Sequence, residues 1–287
     1  MCDDDIHPGL VHDPRLSRRA FGLLTVAATG VASVARADDT VEEKDVIIKT
    51  ADGESDAALF YPKAKGKYPA VLLWPDVMSL RPVFRDMGRR LASAGYVVLV
   101  PNLYYRVKKA PVIEGTFNFA NPEDRAKLTP MRASVTPAGT FKDAEAYVAF
   151  LDAQPQTDKG KKIGVQGYCM GGPLSFRTAA AAPGRIGAVA TFHGGGLITA
   201  DADSPHLLIP KTHASYLIEI ADNDDQKEPD VKDKLKAAFA EAKRPAQVEV
   251  FAGAAHGWTV KGSQVYNEVA AETAWANLLA LYKKALG

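Results

Sequence analysis

A series of short, almost unbroken apolar runs most constrains what this chain can fold into. They lie at residues 69–74, 96–101, 162–166, 186–192, 215–221 and 247–251. A strand with one wet face alternates apolar and polar residues, whereas a continuous apolar strand must be covered on both faces. Helical stretches separate these runs. Residues 82–94 place Phe84, Met87 and Leu91 on one side and stop at Gly95; residues 141–151 place Ala144, Tyr147, Val148 and Leu151 inward. Residues 231–243 align Val231, Leu235, Ala238 and Phe239, and residues 268–286 close the chain as an amphipathic helix. Covered strands alternating with helices specify an α/β fold, a mostly parallel, doubly wound sheet with helices on both faces. At 287 residues and 47% hydrophobic, one such domain accommodates the pattern. Before it, residues 45–50 and 57–61 read as a hairpin turning at Asp52-Gly53. Residues 107–138, broken by prolines, show no period and read as a functional loop or an excursion over the sheet.

The first 37 residues read as a targeting segment and are set apart from the domain of residues 38–287. Arg18-Arg19 followed by Phe21, a mild apolar stretch, and Ala35-Arg36-Ala37 resemble a twin-arginine signal cleaved after Ala37. The stretch is too weakly hydrophobic for a comfortable membrane span. It predicts the export machinery as a partner and the periplasm as the destination. Cleavage would remove Cys2 and leave Cys169 as the one cysteine of the mature chain. A lone thiol in an oxidising compartment is a hazard unless it is used or buried, which favours a chemical role for Cys169.

Cys169 sits in Gly167-Tyr168-Cys169-Met170-Gly171-Gly172, between an apolar strand and a helix. Strand, G-x-C-x-G, helix is the layout of a nucleophile elbow, with cysteine in place of serine. The glycines let strand and helix approach across a strained turn, and the helix N-terminus favours a thiolate. In a parallel sheet, ligands gather at the carboxyl ends of the strands. There the chain carries Asp76, Arg106, Cys169, His193, the cluster Asp222, Asp224 and Asp225, and His256. Nucleophile, acid, histidine is the α/β-hydrolase order, with a thiolate served by His256 and oriented by one of the three aspartates. Any of those aspartates also reads as a cap or a solvated loop charge. The backbone N–H groups of Val77 and Met170 are the expected oxyanion donors.

From about residue 45 to its C-terminus the chain resembles the dienelactone hydrolase (carboxymethylenebutenolidase) family of α/β-hydrolases. The resemblance rests on the elbow, on His256-Gly257, and on Pro101-Asn102-Leu103-Tyr104-Tyr105-Arg106, which is similar to the family's Pro-Asp-Leu-Tyr-x-Arg. The family's acid closes a Gly-x-x-Asp pattern; Ala221-Asp222-Asn223-Asp224 matches it with Ala for Gly, so the resemblance selects Asp224. It implies acyl transfer through a Cys169 thioester on a small-molecule lactone or ester substrate, with Arg106 receiving a substrate carboxylate. The family usually has Glu at the position of Asp76, where it helps keep the resting thiol neutral; Asp is one methylene shorter.

Other classes fit poorly. Lys plus Arg total 35 against 34 Asp plus Glu, so no basic field recruits nucleic acid. No histidine pair has metal-ligand spacing, and neither a metal nor a cofactor is expected. No G-x-G-x-x-G follows the first strand, which disfavours a nicotinamide oxidoreductase. A serine-hydrolase-like carboxylesterase or acyltransferase and a non-catalytic binding member of the fold are the alternatives.

Overall fold

The computed structural model describes residues 40–287 together with a two-residue strand, β1 (Val11–His12). The expected signal segment otherwise lies outside the described residues. Strands β2 (Val41–Thr50) and β3 (Gly53–Pro62) form the expected hairpin, longer at both its open end and its turn than the expected 45–50 and 57–61. There follow β4 (Ala70–Trp74), helix α1 (Pro82–Ser93), β5 (Val97–Pro101) and a short β6 (Phe117–Asn118) that pairs with β1. Helices α2 (Pro122–Ala133) and α3 (Pro137–Ala153) lead to β7 (Ile163–Tyr168) and α4 (Gly171–Ala181). Strand β8 (Ile186–Phe192), β9 (Ser215–Ala221), α5 (Asp222–Lys227), α6 (Val231–Glu241), β10 (Ala246–Phe251) and α7 (Glu268–Ala285) complete the order.

One eight-stranded sheet runs β10-β9-β8-β7-β4-β5-β3-β2. The strands from β10 to β5 are mutually parallel, and the β2–β3 hairpin adds an antiparallel edge. The period of two in each strand distributes its side chains to two cores. Along β4, Leu72 and Trp74 join one layer with Tyr147 of α3, Phe176 of α4 and Phe239 of α6. Val71 and Leu73 join the other with Phe84 of α1 and Leu278 and Tyr282 of α7. This is the expected doubly covered sheet, in the arrangement of an α/β-hydrolase.

Because β7, β8, β9 and β10 are adjacent and parallel, about 4.8 Å apart at each step, their carboxyl ends lie side by side. The segments leaving them carry Cys169, His193, Asp224 and His256.

Candidate active site

At the elbow, β7 ends at Tyr168 and α4 begins at Gly171, leaving Cys169 at φ +52°. That left-handed conformation is strained for a residue with a Cβ and recurs where a side chain is held out for chemistry. The Cys169 N–H donates to the Phe192 carbonyl of β8, at 3.1 Å, and its carbonyl accepts from Gly172. Gly171 has no alternative here: a Cβ would lie 2.5 Å from the Trp74 carbonyl oxygen and 2.7 Å from that of Pro75. The close approach brings the end of β4, and hence Val77, beside the start of α4. The Cys169 thiol is partly exposed.

The aspartate cluster resolves residue by residue. Helix α5 starts at Asp222, and each successive residue faces a different direction along its first turn. The Asp222 carboxylate accepts from the Gly253 N–H at 3.2 Å, and Asn223 Oδ1 accepts from the His256 N–H at 2.7 Å. Asp224 Oδ2 lies 2.7 Å from His256 Nδ1, and Asp225 pairs with Lys232 at 2.8 Å. Of the three aspartates, Asp224 alone meets the imidazole.

His256 is 4% exposed. Its burial works against a charge, but the charge of Cys169 and then the hydrogen bond and charge of Asp224 outweigh that, so its pKa lies well above the usual histidine value. Its Nε2 makes no full hydrogen bond at rest; Cys169 is the group that acts on it from that side. Geometry of this kind tightens when substrate binds.

The oxyanion-side segments are joined by a residue the motif analysis did not single out. The hydroxyl of Tyr104, fully buried, donates to the Val77 carbonyl at 2.8 Å and lies 3.7 Å from the Met170 sulfur. Among the described residues, the backbone N–H groups of Val77 and Met170 have no acceptor. Tyr104 stands within the Pro101–Arg106 stretch, beside the arginine that the motif brings forward.

Asp76 and Arg106 are each held by charged side chains. Both oxygens of Asp76 face Arg81, at 2.5 and 2.8 Å, and Oδ1 also accepts from the Met78 N–H. The carboxylate thus shapes the turn carrying Val77 rather than standing free before the thiol. Arg106 forms a two-pronged pair with Asp143, at 2.8 Å for each prong, and a further pair with Asp52. Two carboxylates already surround this guanidinium, so it is not offered as a bare cation to an anionic substrate.

His193, at the end of β8, is 1% exposed and also adopts a positive φ, +43°. A cavity of about 520 Å³ opens between α1 and α7, lined by Val83, Met87, Tyr168, Phe192, Thr259 and Trp275 among others. It touches the neighbours of the site but none of Cys169, Asp224 and His256.

With this geometry in place, comparisons with known proteins become informative. A sequence model described as the Dienelactone hydrolase family matches residues 55–286. A Synechocystis protein named provisionally as a carboxymethylenebutenolidase is 25% identical over 228 residues, which are 78% of this chain and 89% of that one. A Pseudomonas carboxymethylenebutenolidase is 33% identical over 117 residues, covering 41% of this chain and 47% of its own. Among solved structures, a Klebsiella pneumoniae protein provisionally described as a dienelactone hydrolase superposes with a TM-score of 0.73 at 22% identity. That match covers 85% of this chain and 99% of the other, and it supports the fold.

Proposed function

The chain belongs to the dienelactone hydrolase family, and from that premise we propose that it hydrolyses a lactone or carboxylic ester through Cys169. The observation that carries this reading is the convergence of Cys169, Asp224 and His256 on the ends of adjacent parallel strands, with Asp224 2.7 Å from the His256 ring.

In this mechanism Cys169 passes its proton to His256 Nε2, and the raised affinity of that imidazole for a proton supports the transfer. The sulfur attacks the ester carbonyl, and the resulting oxyanion takes hydrogen bonds from the Val77 and Met170 N–H groups. As the C–O bond breaks, His256 returns the proton to the departing oxygen and a thioester remains. Water then attacks the thioester with His256 as base, releasing the carboxylic acid and the thiol. Asp224 holds the ring in the tautomer that presents Nε2 to the sulfur. Tyr104 sets the spacing of the two oxyanion donors. Asp76 and Arg106 act as scaffold, the first on the Val77 turn and the second between the β2–β3 turn and α3. The reaction needs neither metal nor cofactor. We place it in the periplasm after twin-arginine export, which a reporter fused to residues 1–37, with and without the double change of Arg18 and Arg19 to Lys, would check.

The deciding experiment compares hydrolysis of a dienelactone and of a simple aryl ester by the chain from Asp38 and by its Cys169→Ala variant. Loss of both activities in the variant, with an acyl-enzyme trapped on Cys169 in the parent, is the expected result. Turnover of the ester alone, still dependent on Cys169, would retain the chemistry and reopen the substrate class. Equal rates in parent and variant would end the proposal.

A further inference from the structure

The mechanism leaves one buried titratable side chain of the site unused. His193 ends β8, and its N–H donates to the Glu219 carbonyl at 2.8 Å. Its Nε2 lies 2.8 Å from Thr259 Oγ1, three residues beyond His256 on the same loop. Its ring centroid is 4.9 Å from that of His256, with planes at 58°, and the indole of Trp258 meets it edge-on at 5.1 Å. The imidazole therefore touches the His256 loop by a tilted ring contact, by a hydrogen bond and through Trp258, while its backbone is anchored to β9.

We propose that His193 is a positioning residue for His256, an imidazole that fixes the catalytic ring between itself and the Asp224 carboxylate. The inference rests on the catalytic reading of Cys169, Asp224 and His256.

Three observations support it. First, the Asp224–Nδ1 bond leaves the His256 ring a rocking motion about that axis, which would swing Nε2 past the thiol. A second ring in contact with it, tilted by 58° to its plane, restricts that motion. Second, His193 adopts a left-handed backbone, which is unfavourable for a residue bearing a Cβ and persists only where surroundings impose it. Third, a positioning ring must not compete for charge. Burial and the neighbouring His256 both hold His193 well below the usual histidine pKa, so His256 is the one imidazole of the pair that takes a proton. The other ionisable groups around the two rings are Cys169 and Tyr168 of the elbow, Asp224 of α5 and Glu219 of β9. Tyr168 is held neutral, and Asp224 and Cys169 both favour a proton on His256.

The hydrogen bond to Thr259 fits this role in the tautomer where Nε2–H donates to the hydroxyl.

The test uses the chain from Asp38 carrying His193→Ala, His193→Phe, Thr259→Val, and the last two combined, with Cys169→Ala as reference. Readouts are kcat and KM for the ester and the pH midpoint of alkylation by iodoacetamide, a macroscopic property of the Cys169–His256 pair. With His193→Ala we expect kcat to fall about 10–100-fold with KM little changed, as misplacement of a reacting group does. The alkylation midpoint should move to higher pH, since a displaced imidazolium supports the thiolate less. His193→Phe restores a neutral ring and should recover most of the midpoint. It shares with Thr259→Val a smaller loss of about 3–10-fold, and the double variant should match either single one, because both remove the same bond. A packing role alone would lower thermal stability and leave the midpoint unmoved; that outcome overturns the proposal, as does a double variant whose loss is the product of the singles. Should the alanine variant not fold, the phenylalanine and valine variants decide. If Cys169→Ala is active, the catalytic reading itself has failed; if it is dead while every His193 and Thr259 variant behaves as the parent, only this inference has.

Discussion

Asp224 is distinguished from Asp222 and Asp225 by direction alone. All three are carboxylates in the first turn of α5, but only Asp224 reaches the His256 ring. Replacing it with Asn keeps the shape and offers the ring an N–H where it needs an acceptor, which favours the wrong tautomer. Asp224→Asn should therefore lower kcat by about 10²–10⁴-fold with KM nearly constant. Steady-state kinetics beside Asp222→Asn, which should stay within a few-fold of the parent, checks it. At this scale the sequence identified residue types and their order along the chain. Composition and spacing left three acids open, and only the motif likeness favoured the one that the fold brings to the imidazole. Arg106 shows the converse. A lone arginine after a strand reads as an anion receptor, yet its partners, Asp52 and Asp143, are distant in sequence and invisible to a local pattern.

At the scale of elements, the elbow is the tightest joint. A methyl at Gly171 would press on the backbone carbonyls of Trp74 and Pro75, which cannot swing away without breaking the end of β4. Gly171→Ala should cost about 2 kcal/mol or more, or prevent folding. Gly184→Ala, where a Cβ meets nothing within 4 Å, should stay within about 0.5 kcal/mol; thermal unfolding of the two variants makes the comparison. The covered strands were legible because unbroken Val, Leu and Ile runs admit few other structures. Helix α2 was not. Asn121 caps it and Pro122 opens it, but Pro130 within it reads locally as a break. Burial of Leu128 and Met131 against the main core holds the helix despite that proline. The acidic run 222–225 read as a loop after β9 and is helical instead, since acidic residues suit a helix N-terminus and all four residues bind neighbouring segments.

For the whole molecule, the sheet holds one conspicuous burden. Glu219 of β9 is fully buried; Asn277 of α7 donates to one oxygen and the other has no partner. Burial pushes its carboxyl up to about 7, despite that hydrogen bond. The folded state thus binds this proton more tightly than the unfolded chain. Its contribution is fully present below the ordinary carboxyl range, near 4.5, and is lost as pH rises through about 7. Glu219→Gln keeps the shape and the acceptor for Asn277 but cannot ionise. It should stabilise the protein at pH 8 by roughly 1–3 kcal/mol and do little at pH 4. Denaturant unfolding at both pH values tests this, and equal effects at the two would remove Glu219 as the cause.

By itself, the sequence determined the layered α/β architecture, the strand-to-helix turn at Cys169 and the order cysteine, aspartate, histidine along the chain. These are written in local periodicity and in glycines that only close approach explains. Tertiary structure decided which aspartate meets His256, that Tyr104 joins the Val77 and Met170 segments, that Asp76 and Arg106 are held by other side chains, and that His193 meets the His256 ring. Those facts depend on which strands are neighbours, and adjacency in a parallel sheet is settled by long-range packing of both faces, which no window of the sequence contains.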